Sequence, residues 1–90
     1  MKLLIMYDIS DDRRRTKVEK LLASYGYRVN YSVFELDIKK RDYRKLIDKL
    51  RQISNQKDNI RVYILNEEVI KKSFCLHTSQ GVFRNEELYF

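Results

Sequence analysis

The stretch RVNYSVFELDI, residues 28–38, changes phase in its middle. Val29, Tyr31 and Val33 fall on odd positions, whereas Phe34, Leu36 and Ile38 fall on even ones. Side chains of a strand alternate between its two faces, so one unbroken strand cannot turn both sets toward one core. The slip predicts a bulge or break near Ser32, and hence two short strands in place of one long one.

The flanking periods then leave few architectures open. Leu3 to Tyr7 is uniformly apolar, as in a central strand covered on both faces. Val18, Leu21, Leu22 and Tyr25 recur at helical spacing and predict a helix over residues 13–25. Ser10, Asp11 or Asp12 can cap its start, and Gly26 is placed as the C′ residue that stops it. Tyr43, Leu46, Ile47, Leu50 and Ile53 predict a second helix over 41–53. Residues 55–59 are polar and loop-like, and Ile60 to Leu65 alternates as a strand, with Ile60, Val62 and Ile64 on one face. The order β-α-β-β-α-β predicts an α+β, ferredoxin-like sandwich. Val69–Leu76 and Glu87–Phe90 could each add a short C-terminal strand. With 90 residues and no linker-like segment, the chain reads as one domain, 1–90, with a core of about 1–65 and a tail of 66–90. A domain this small buries only about 60–65% of its unfolded surface, so dimerisation would add useful burial.

Where that first strand ends, the chemistry begins. Asp8 follows the apolar run, and Arg13, Arg14, Arg15 and Lys17 crowd the start of the next helix. Functional groups in open α/β sheets collect at the carboxyl ends of strands, beside helix N-termini. Cations there oppose the helix dipole, which hints at a role elsewhere, and guanidinium groups grip phosphate oxygens in bidentate fashion. From spacing alone, the same arginines fit better a solvated face paired with Asp11, Asp12 and Glu19, as charge runs usually do. Nineteen Lys and Arg against 13 Asp and Glu give a net charge of +6, which draws the chain toward polyanions, nucleic acid first and anionic membrane second.

Other chemistries find little support. The single His77 gives no His–His pair, and the single Cys75 neither a disulfide nor an intrachain zinc site, so it reads as a small buried hydrophobe in a reducing cytoplasm. No apolar run approaches the roughly 18–20 residues of a membrane span. No glycine-rich phosphate loop is present, since Gly26 and Gly81 are the only glycines. The seven tyrosines could stack on bases, although Tyr25 and Tyr43 lie on core stripes. One carboxylate is a thin metal site, but Mg²⁺ keeps several waters and often uses only one or two carboxylates, and a twofold mate of Asp8 would supply the second.

MYDISDDRRRTKV at residues 6–18 and YRVNYSVFE at residues 27–35 resemble the paired motifs of CRISPR-associated protein 2, the small dimeric subunit of the CRISPR adaptation machinery. The resemblance runs in order over roughly residues 1–65. It implies a symmetric homodimer of ferredoxin-like subunits in the cytoplasm, with C-terminal strands against the partner's sheet. It implies a metal-dependent endonuclease acting on RNA or DNA, in which Asp8 of both subunits holds a shared Mg²⁺ or other divalent cation. It carries the family's basic positions to Arg13, Arg14, Arg15 and Arg28, with Lys17 beside them, and its supporting positions to Tyr7, Ser32 and Phe34. Leu36 departs from the family, where a smaller residue is usual after Phe-Glu. Two further readings accompany the enzymatic one. The first is an architectural dimer that bridges copies of the CRISPR integrase and holds duplex DNA without chemistry at Asp8. The second is a toxin-like RNA-cleaving relative of the same fold.

Overall fold

The structure, a computed structural model, describes residues 1–78 and 80–83. Its elements are β1 (Lys2–Asp8), α1 (Asp12–Ala23), β2 (Tyr27–Asn30), β3 (Val33–Asp37), α2 (Lys40–Ile53), β4 (Asn59–Leu65) and α3 (Glu67–Lys72). The four strands form one sheet in the order β2-β3-β1-β4, and every adjacent pair is antiparallel. The two strands joined through α1 are therefore separated by β3, and those joined through α2 by β1. This interleaving places the apolar β1 at the centre.

The core follows from the two expected helical stripes. Val18 and Leu22 of α1, with Leu46 and Leu50 of α2, close over Leu3, Ile5, Tyr7, Phe34 and Leu36 of the sheet. Leu21, Tyr25, Tyr43, Ile47 and Ile53 pack at the margin, as do Ile60 and Val62 of β4. Ile64, expected on that same face, is 58% exposed.

The phase slip resolves as two short strands. Arg28 pairs with Phe34 and Asn30 with Val33, so Val29 is the extra residue of a bulge. Tyr31 and Ser32 form the turn. Only the even set, Phe34 and Leu36, enters the core; Val29 and Tyr31 are exposed.

Four expectations are corrected. Uniformly apolar β1 is closed on one face, by Leu3, Ile5 and Tyr7, whereas Met6 on the other is 41% exposed. Two contacts bring the C-terminal segment across that second face. Lys2 Nζ bonds Glu67 Oε1 at 2.9 Å, and the Phe83 N–H donates to Glu35 Oε1 at 2.7 Å. The Val69–Leu76 strand is not formed, because residues 67–72 are helical. Asn66 caps α3 by accepting from the Val69 N–H, while Glu67 and Glu68 precede Lys71 and Lys72 along its dipole. Beyond it lies an isolated Phe74–Gly81 bridge, and the alternative at Glu87–Phe90 falls outside the described residues. Cys75 is exposed, not buried, because the helix ends before it and leaves it in the loop of that bridge. Gly26 is not the left-handed C′ residue: α1 ends at Ser24, whose N–H and hydroxyl both bond Leu21 O, and no described glycine has positive φ. Its requirement is steric. No helix among the described residues is long and apolar enough to cross a membrane.

Candidate active site

Asp8 is the last residue of β1, and the side chain after it, Ile9, turns back into the core at 4% exposure. This local arrangement leaves the Asp8 carboxylate exposed at the strand end, opposite Asn59 of β4. Asp8, Asn59 and Ser32 line a small pocket of about 140 Å³ with Arg61 at its side. A wider groove of about 570 Å³ runs from Asp8 and Ser32 past Arg15, Glu19, Arg28 and Tyr31.

A hydrogen-bond network sets the wall of that groove. The Tyr7 hydroxyl, with one proton to donate, faces Glu19 Oε2 at 2.9 Å and the Tyr31 carbonyl at 2.8 Å. Arg28 Nη2 donates to the same Glu19 oxygen at 3.2 Å and to the same Tyr31 carbonyl, and its Nε donates to the Asn30 carbonyl at 3.3 Å. Burial, then the bond to Glu19, pushes the Tyr7 hydroxyl up to about 12, so it stays protonated throughout the neutral range. The Arg28 guanidinium carbon lies 5.7 Å from the Phe34 ring centre and 6.0 Å from that of Tyr31. Phe34 itself stacks at 6.3 Å on Tyr7 beneath the floor. Arg15 is braced by Nη1 on the Ile9 carbonyl at 3.0 Å and by Nη2 on Asp12.

The named residues thus divide into three groups. Asp8, Tyr7, Arg15, Arg28 and Ser32 converge on one groove, with Phe34 under it. Arg13 and Lys17 are exposed on α1 and form no ion pair among the described residues. Arg14 is committed elsewhere. Its Nε and Nη2 meet both carboxylate oxygens of Asp58, at 2.8 and 3.1 Å, and Asp58 also accepts the Asn55 N–H at 2.9 Å. The Asp58 side chain is only 2% exposed, so this bidentate pair clamps the start of α1 to the turn before β4.

The clamp predicts an acid response. The Arg14 guanidinium holds the Asp58 carboxyl below its usual 3.8. A depressed folded-state pKa contributes stability above the unfolded value, lost as pH falls through the folded one. Asp58→Asn should therefore unfold earlier than wild type at neutral pH, with a midpoint that falls less on acidification to about pH 3. Thermal unfolding followed by circular dichroism across that range checks it; parallel curves for the two proteins would remove the clamp from the account.

Sequence reasoning missed Asn59 and Arg61 beside Asp8, Glu19 as the brace of Arg28, and Asp58. Only strand register and tertiary closure bring them into place. Among the described residues no group of three or more His, Cys, Asp or Glu is arranged to hold a metal ion. The oxygen-bearing side chains of Asp8, Ser32 and Asn59 all belong to residues that line the small pocket. Such a set suits a hard, largely hydrated divalent cation and offers nothing to a soft one.

Residues 1–73 match the family model described as CRISPR associated protein Cas2. Over 63 residues the chain is 44% identical to a CRISPR-associated endoribonuclease Cas2 of Mycobacterium tuberculosis, covering 70% of this chain and 56% of that protein, so the match spans little more than half of that relative. It is 48% identical over 67 residues to CRISPR-associated endoribonuclease Cas2 1 of Chloroflexus aurantiacus, covering 72% of each. Among solved structures, it is similar to a chain of a partial Cas6-RT-Cas1–Cas2 complex, with a TM-score of 0.74 and 36% identity over 90% of this chain and 94% of that one.

Proposed function

This chain belongs to the CRISPR associated protein Cas2 family, and from that premise we propose that it is a subunit of the CRISPR adaptation machinery and a divalent-metal-dependent endonuclease that cleaves phosphodiester bonds in RNA or DNA. The observation that carries this reading is the exposed Asp8 carboxylate in a groove walled by Arg15 and Arg28. Asp8, with Ser32 and Asn59, would hold the cation, Mg²⁺ in the simplest case. The chemistry it supplies when bound is neutralisation of charge on the phosphodiester and a more acidic water. Arg15 and Arg28 are held by carbonyl and carboxylate acceptors with guanidinium surface still open to the groove, so they receive a phosphate without reordering. Tyr7 stays protonated and holds the turn that presents Ser32.

In this reading the subunits are ferredoxin-like and form a symmetric homodimer, in which a second Asp8 completes the donor set. Met6 and Tyr63, left exposed on the second face of the sheet, support it. The protein acts in the cytoplasm, with Cys75 unpaired.

An architectural reading stands beside it: a dimer that bridges integrase subunits and holds duplex DNA. The absence, among the described residues, of any group of three or more His, Cys, Asp or Glu arranged to hold a metal ion favours it, as does the similarity to a chain in a complex containing Cas1. Both readings require binding to the phosphate backbone that weakens steeply with salt.

One matched assay separates them. Wild-type protein is offered RNA, single-stranded DNA and duplex DNA, each with Mg²⁺ and with a chelator. Cleavage of at least one substrate that stops on chelation is the expected result. Salt-sensitive binding of all three with no cleavage under any condition would leave only the architectural reading.

A further inference from the structure

Among the described residues, Tyr31 is the most exposed of the large hydrophobic side chains, at 84%. It is also one of the most firmly anchored. Its carbonyl accepts from the Tyr7 hydroxyl and from Arg28, and its N–H donates to Asn30 Oδ1 at 2.7 Å. The ring thus stands in water on a backbone fixed at both ends. It lines the Asp8 groove on one side and a second shallow hollow, with Arg28, Val29 and Asn30, on the other. The Arg28 guanidinium lies 6.0 Å from its centre, within reach of a cation–π contact. The core does not require an aromatic here, since Tyr31 lies outside the core cluster.

We infer that Tyr31 is a stacking platform for an unpaired nucleobase of a strand whose backbone lies in the Asp8 groove. A base within a duplex has both faces covered by its neighbours, whereas an unpaired base offers a free π-face to an aromatic ring. The groove supplies the complementary half of the contact. Arg15 and Arg28 take the backbone, while the ring at the lip takes the base attached to it. Because the Tyr31 backbone is already ordered, little conformational freedom is lost on binding. The inference rests on the nucleic-acid reading proposed above and adds to it a residue that contacts the base.

The test uses the full chain with chelator present, so that strands stay intact. The probe is a short single strand carrying 2-aminopurine, compared with the same strand paired as a blunt duplex and with an abasic version. Wild type should quench the 2-aminopurine on binding, and Tyr31→Ala should not. Tyr31→Ala should bind the single strand roughly 5- to 150-fold more weakly, the range found when one stacked base contact is removed. Tyr31→Phe should keep wild-type affinity. Wild type should bind the abasic strand as weakly as Tyr31→Ala binds the intact one, and the duplex should bind both proteins alike. Unchanged affinity and quenching in Tyr31→Ala, with wild type binding well, would overturn the stacking role and leave the nucleic-acid reading standing. Wild type that binds no strand at all would overturn both. A change in solution mass of Tyr31→Ala would assign the ring to a contact between subunits and likewise overturn the inference.

Discussion

Asp8→Asn and Asp8→Ala should each lower Mg²⁺-dependent cleavage at least about a hundredfold, the scale of loss when a preorganised electrostatic group is removed from a reacting centre. Neither should disturb the fold. The ladder contacts of Asp8 with Asn59 are made by backbone, and the carboxylate itself takes no hydrogen bond or ion pair among the described residues. Substitution of an exposed side chain without partners shifts stability by no more than about 0.5 kcal/mol. Asparagine is the sharper variant, because it keeps the shape and one oxygen donor and removes only the charge. Cleavage rate, unfolding midpoint and oligonucleotide affinity are measured on one preparation. Lost cleavage with the other two intact places the chemistry at this carboxylate. Full cleavage by Asp8→Ala would point to a contaminating nuclease and leave the architectural reading alone.

The same variant probes the adaptation role in cells, provided its companions are chosen from the structure. Neutralising all three consecutive arginines would confound two effects, because Arg14 is consumed in clamping Asp58. Neutralising Arg13, Arg15 and Arg28 while sparing Arg14 removes three positive charges and leaves that clamp in place. Spacer acquisition that survives Asp8→Ala and fails in that triple variant would assign the protein to holding DNA.

The difference between Arg14 and its neighbours marks what a sequence can convey. Arg13, Arg14 and Arg15 are chemically identical and adjacent, yet Arg14 meets Asp58, Arg15 meets Asp12 and the Ile9 carbonyl, and Arg13 forms no ion pair among the described residues. Asp58 sits 44 positions away from Arg14 and meets it only once α1 and the turn before β4 are brought together. Asn59 reaches Asp8 through the register of β1 with β4, which the apolar pattern of either strand leaves open. The phase slip at residues 28–38 was legible because it is a contradiction internal to one strand. Its resolution into a bulge at Val29 plus a turn at Tyr31–Ser32 needed the partner strand. The signals for α3 were present in the sequence, in Asn66 and in acids followed by lysines. The apolar Val69, Ile70 and Phe74 masked them by suggesting a strand.

Gly26 shows the same gap most sharply, and it carries the largest expected loss of stability. A Cβ built on Gly26 would lie 2.5 Å from the Glu35 carbonyl oxygen and 2.6 Å from Leu36 Cγ. Neither neighbour can yield cheaply. Glu35 lies in β3, which is hydrogen-bonded to β1 on one side and β2 on the other, and Leu36 is wholly buried in the core. The bulk that the resemblance marked as unusual at Leu36 therefore sits against the one residue that leaves it room. Gly26→Ala forces β2 away from β3 or Leu36 out of its place, an overpacking cost of about 3 kcal/mol. For a domain of this size that corresponds to a fall in melting temperature on the order of 10–20 °C. The strain falls on the hairpin that carries Arg28, Tyr31 and Ser32, so the variant should also lose oligonucleotide affinity well below its melting temperature. Leu36→Ala placed on top of Gly26→Ala removes the side-chain half of the clash, and the pair should cost less than the sum of the two single changes. Calorimetry of the four proteins decides it: additive losses would mean that the glycine and the leucine do not share this space.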